Sequence, residues 1–117
     1  GYPVMNEQVI FSYFRSQFAE DYKRLAIVAV VTELQGLEKP IGESALKHAV
    51  RKKHQIDMET IEDVLSVLRS ASGFNALASW KGTRATLCRL RTESQRLDQW
   101  MHANALLVHG VRQHLAA

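Results

Sequence analysis

The stretch from Ile41 to Leu90 decides the fold: IGESALKHAVRKKH over 41–54, DMETIEDVLSVLR over 57–69 and FNALASWKGTRATLCRL over 74–90. The first segment predicts a helix from Glu43 to His54. Leu46, Ala49 and Val50 turn inward, while Lys47, Arg51, Lys52 and Lys53 gather near its end, where cations suit the helix dipole. The second predicts a helix capped by Asp57, with Ile61, Val64, Leu65 and Leu68 at i, i+3, i+4 and i+7. A link of only about three or four residues joins the two. Ser70 to Gly73 ends the second helix, and the Thr, aromatic and aliphatic residues of 74–80 and 83–90 predict a hairpin turning at Lys81-Gly82. Pairing Trp80 with Thr83 places Ala76, Ala78, Ala85 and Leu87 on one face and Ser79, Arg84 and Thr86 on the other.

On the N-terminal side, Lys39-Pro40-Ile41-Gly42 interrupts helix propagation, because proline disfavours helical geometry at the residue before it. The helix ahead of it runs from Tyr22 to Gln35 and is followed by Gly36. Its run Leu25 to Val31 leaves so little polar surface that it reads as the central helix of the core. That run is too short to cross a bilayer and is bracketed by Lys23, Arg24 and Glu33, so no membrane partner is expected. Earlier still, Asn6 can cap a helix carrying Val9, Ile10, Phe14 and Phe18. Ala19 to Asp21 is either its continuation or a break, with Asp21 capping the helix from Tyr22. The organisation expected is an N-terminal helix over 5–20, a central domain over 21–91 and a C-terminal helix over 92–117.

Composition narrows the function classes. A chain of 117 residues with 46% hydrophobic and 23% charged residues has material for one folded domain, and neither fraction suggests disorder. The opening residues carry no basic start followed by an apolar run and cleavage site, and the lone Cys88 cannot form an internal disulfide, so a cytoplasmic location is expected. The net charge of +3 is modest, but the basic residues concentrate after residue 50, in Arg51, Lys52 and Lys53 and again in Lys81, Arg84, Arg89 and Arg91. His48, His54, His102, His109 and His114 lack the spacing of a tetrahedral site, so neither metal nor cofactor is expected. Glu59, Glu62 and Asp63 look solvent-facing and therefore unsuited to general-acid work. With no Gly-rich phosphate loop present either, the chain does not read as an enzyme.

Pro40-Ile41-Gly42-Glu43-Ser44-Ala45-Leu46 followed by Asp57-Met58-Glu59-Thr60-Ile61-Glu62-Asp63-Val64-Leu65-Ser66-Val67-Leu68 resembles winged helix-turn-helix regulators, and the resemblance covers residues 22 to 90. It implies a mainly α fold with a small β-hairpin, extended here by long N- and C-terminal helices. By position, Asp57 to Arg69 becomes the recognition helix and Trp80 to Arg84 the tip of the wing. The implied partner is double-stranded DNA, with Lys81 and Arg84 on the wing, Lys47, Arg51, Lys52 and Lys53 as backbone clamps, and Thr60 and Ser66 as base readers. One departure stands out: the outward positions of the recognition helix include Glu59, Glu62 and Asp63, which repel phosphate. The alternative reading is therefore a protein-interaction adaptor whose acidic helix meets a basic protein partner. Trp80 either stacks on a base or sugar or packs over the hairpin root.

Beyond the hairpin, Thr92-Glu93-Ser94-Gln95 has the form of a capping box and predicts one long final helix from Ser94 to Leu115. Leu97, Met101, Asn104, Val108, Val111 and Leu115 follow a heptad trace widened by Trp100. A symmetric homodimer through these residues is expected, with the helix crossing against its own domain as well as a second copy and Asn104 fixing register or facing a local polar partner; the alternative is a terminal helix packed only within its own chain.

Overall fold

The computed structural model describes residues 19–116, so the helix expected over 5–20 lies outside the described residues except at its end. The order is helix α1 (Ala19–Gln35), strand β1 (Ile41–Gly42), helices α2 (Glu43–His54) and α3 (Met58–Arg69), strands β2 (Leu77–Lys81) and β3 (Thr86–Leu90), then helices α4 (Gln95–Ala103) and α5 (Ala105–Ala116). This is a mainly helical domain with a small three-stranded antiparallel sheet in the order β1-β3-β2.

Every residue from Leu25 to Val31 is buried, so this part of α1 is enclosed on all sides. α1 packs against α2, α3, α5 and β3, which places its apolar stretch at the centre of the core. α1 is already helical at Ala19, and Asp21 lies in that helix beside Arg24 rather than capping a new one.

The expected stripe of α3 is the buried one: Ile61, Val64, Leu65 and Leu68 are each no more than 1% exposed. Its start is fixed by Asp57, whose carboxylate accepts from the Thr60 N–H at 3.0 Å and from the Thr60 hydroxyl at 2.8 Å. Between α2 and α3 lie only Gln55, Ile56 and Asp57. Gln55 closes α2 in the left-handed region at φ 56°, with its N–H on the Arg51 carbonyl, and Ile56 is buried beneath the turn. After α3 the chain doubles back so tightly that a Cβ on Gly73 would lie 2.4 Å from the Val67 carbonyl oxygen.

The hairpin turns later than the sequence predicts. Trp80 pairs with Leu87 and Lys81 with Thr86, so Gly82 to Ala85 form a loop closed by the Gly82 N–H on the Ala85 carbonyl at 2.9 Å. Trp80 is thus opposite Leu87 rather than Thr83. The displacement is an even number of residues, so the assignment of side chains to faces survives: Ala78 and Leu87 still share one face and Ser79 and Thr86 the other. Leu77 and Cys88 are the buried members of the inner face, and Ile41 of β1 pairs with Cys88.

A second correction concerns the C-terminus, where the single helix expected from Ser94 to Leu115 is two helices broken at Asn104. Asn104 adopts φ −108° and ψ 31°, and its side-chain amide donates to the Trp100 carbonyl at 2.8 Å, competing with the backbone for that acceptor. Its own carbonyl accepts from the Val108 N–H at 2.9 Å and so starts α5. No capping box forms: α4 begins at Gln95 with Ser94 as N-cap and without a side-chain cap bond. Instead, the Arg96 guanidinium reaches the carbonyls of Ala71 and Gly73 at 2.7 and 2.8 Å, and Trp100 meets Phe74 edge-on at 5.7 Å.

Candidate nucleic-acid interface

The tip of the hairpin is built by steric necessity. A Cβ on Gly82 would sit 2.8 Å from the Ala85 carbonyl oxygen and 3.1 Å from Leu87, so glycine permits the close approach that closes the loop. Lys81, Thr83, Arg84 and Thr86 are all exposed around this tip. On the outer face Trp80 is 39% exposed, and the Arg89 guanidinium lies 5.9 Å from the centre of its ring. Trp80 therefore does not stand alone: it forms a cation–π pair with a residue of the neighbouring strand.

Along the chain, charge at this hairpin is strongly segregated. From Val64 to Thr92 the chain contains no Asp or Glu, while Arg69, Lys81, Arg84, Arg89 and Arg91 all fall within that span. The surface of α3 has the opposite character, since Glu59, Glu62 and Asp63 are exposed together. A carboxylate held about 8 Å from a phosphate in water is unfavourable by about 0.5 kcal/mol per pair, so a helix lined in this way resists approach to a nucleic-acid backbone.

Several of the expected contact residues are engaged within the chain. Lys47 Nζ is 3.7 Å from Glu62, and Lys53 Nζ is 3.3 Å from Glu33, whose carboxylate also lies 3.5 Å from the buried His54. Thr60 serves the N-cap of α3 rather than standing free as a base reader, whereas Ser66 is exposed. Arg69 pairs with Glu43 and donates to the Ser79 hydroxyl at 3.1 Å, tying α3 to α2 and β2. Sequence reasoning gave Arg69 no such role; its partner is distant in the chain.

Arg51 and Lys52 are exposed at the C-terminal end of α2, but the hairpin tip lies at the other end, where Ala85 comes close to Gly42. Twelve helical residues separate the ends of α2, about 18 Å at about 1.5 Å per residue. The wing residues and the expected backbone clamps Arg51 and Lys52 thus lie toward opposite ends of α2.

The dimer residues are largely used within the chain. Leu97, Val108 and Val111 are buried in its own core, with Trp100 and Met101 packed against them, and Leu115 lies outside the residues whose side chains are described. Asn104 has local partners, the Trp100 carbonyl and Arg24 at 3.5 Å. Leu106 is 91% exposed and points away from this core.

Two open clefts, of about 400 and 440 Å³, lie on the C-terminal side, one bordered by Glu38, Arg91 and Asp98 and the other by Asp98, His102 and His109. Among the described residues, no three His, Cys, Asp or Glu side chains are grouped to hold a metal ion, and no helix is long and apolar enough to cross a membrane. Burial raises the Cys88 thiol pKa above its ordinary value, and Glu43 adds to the effect, so the thiol is neutral and poorly nucleophilic at neutral pH. No model of a known protein family matches the chain, and comparison with curated proteins and with solved structures likewise found no match.

Proposed function

We propose that the chain is a winged helix-turn-helix module that binds double-stranded DNA, acting as a transcriptional regulator in the cytoplasm. The observation that carries this reading is the absence of any carboxylate from Val64 to Thr92, with Lys81, Arg84 and Arg89 exposed on the hairpin in that span. Support for the fold assignment comes from the order helix, short strand, helix pair with a three-residue link, and hairpin, together with the strand order β1-β3-β2. Cations are what such a partner demands, because each neutralised phosphate releases condensed counterions.

A regulator that reads two half-sites needs a second copy. Since Leu97, Val108 and Val111 are buried within one chain, a homodimer would have to form on surface positions of the C-terminal helices, such as Leu106. A second reading is favoured by one specific observation: the exposed cluster of Glu59, Glu62 and Asp63 suits a basic protein partner. Titration of a labelled mixed-sequence duplex at low salt separates the two. DNA binding predicts saturable association whose logarithm falls linearly with the logarithm of salt concentration, and the adaptor predicts none.

A further inference from the structure

We propose, resting on the DNA reading above, that the β2–β3 hairpin rather than α3 is the element that docks against the duplex. The two candidate surfaces carry opposite charge. Glu59, Glu62 and Asp63 project from α3, and the lysine best placed to offset them, Lys47, is paired with Glu62 at 3.7 Å. Arg69, at the other end of α3, is paired with Glu43 and donates to Ser79, so part of its charge is already offset within the chain.

On the hairpin the reverse holds. Lys81 and Arg84 are exposed, and among the described residues neither forms an ion pair with a carboxylate. The loop that carries Arg84 is held by the Gly82 to Ala85 hydrogen bond and by the close packing at Gly82, so the cation is presented on a defined backbone. Behind the tip, Trp80 and Arg89 add a flat face able to lie against sugar and phosphate. Size raises no objection, since the major groove of B-form DNA admits a two-stranded ribbon as readily as a helix. In this arrangement the carboxylates of α3 stay outside the contact and disfavour the docking mode in which that helix enters the groove.

The test is positional cross-linking. Thr83→Cys places a thiol at the hairpin tip and Ser66→Cys places one on the outer surface of α3; both positions are exposed, so neither change disturbs the core. Each is coupled to a maleimide-benzophenone and irradiated with a labelled mixed-sequence duplex. The parent chain treated identically controls for the buried Cys88. The expected result is a DNA cross-link yield at least ten-fold greater from position 83 than from position 66. Equal or greater yield from position 66 overturns hairpin docking and leaves DNA binding intact. Cross-linking from neither position, with a parent chain that binds the duplex, also overturns it and moves the contact elsewhere. A parent chain that does not bind duplex at low salt removes the DNA reading itself.

Discussion

The Tyr22 hydroxyl donates to Asp57 Oδ1 across 2.6 Å, joining the first turns of α1 to the N-cap of α3, thirty-five residues on. The same carboxylate caps Thr60, so one side chain sets both the start of α3 and its attachment to the central helix. Burial raises the Tyr22 pKa above 10.0, and the hydrogen bond to Asp57 raises it further. The folded state thus holds this proton more tightly than the unfolded chain. Its contribution to stability is complete below pH about 10 and is lost as pH rises through the folded-state value. Tyr22→Phe should lower stability by about 1–2 kcal/mol at neutral pH and flatten the alkaline limb of a denaturation profile. An alkaline limb identical to that of the parent chain would show that Tyr22 does not control it.

In the hairpin, Gly82→Ala forces a methyl group to within 2.8 Å of the Ala85 carbonyl. The loop must open, at a cost of about 1–3 kcal/mol in urea denaturation. If the tip is the DNA contact, the same variant binds duplex less tightly even at temperatures where it is fully folded. A stability loss with unchanged affinity would separate the loop from binding.

Replacing Lys81 and Arg84 together by alanine should weaken duplex binding across sequences and reduce the salt slope by about two, one for each lost phosphate contact. Neither side chain packs in the core, so thermal stability should stay within about 0.5 kcal/mol of the parent. An unaltered salt slope argues that these two cations do not meet phosphate.

Val108 is 7% exposed inside the chain's own core, and Leu106 is 91% exposed. Burying an unpaired carboxylate is severely destabilising, so Val108→Asp should unfold the chain rather than release folded monomers. Leu106→Glu should leave folding unaffected. If a homodimer forms on the free surface of α5, light scattering should show that this second substitution dissociates it. Folded, monomeric Val108→Asp protein would place that residue between chains instead.

Gly110 lies in α5, and a methyl group added there would meet no atom within 4 Å beyond its own helix backbone. Helical glycine costs about 0.5–1 kcal/mol relative to alanine. Gly110→Ala should therefore raise the midpoint of thermal unfolding by a few degrees. A lower midpoint would mean that α5 is not helical at this position in solution.

Local pattern was enough to read α2, α3 and the enclosed part of α1, because their determinants lie within one or two turns. Asp57 caps α3 through Thr60, Ile61 to Leu68 makes its stripe, and Leu25 to Val31 has no polar side to expose. Lys81 and Arg84 were equally legible, since a hairpin tip is exposed wherever its strands lead. Tertiary structure alone decided the rest. Which carboxylate Lys47, Lys53 or Arg69 meets depends on residues from fifteen to twenty-six positions away, brought close only by helix packing. The heptad from Leu97 onward presupposed an unbroken helix and left open how much of it faces the chain's own domain and how much a second copy. Asn104 turns its amide back onto Trp100 where α4 gives way to α5, and Val108 and Val111 of α5 are buried in the chain's own core, in which α5 packs against α1. A repeat of apolar residues specifies that a face will be buried; where a second surface lies, in the same molecule or another, is set by the path of the backbone between them.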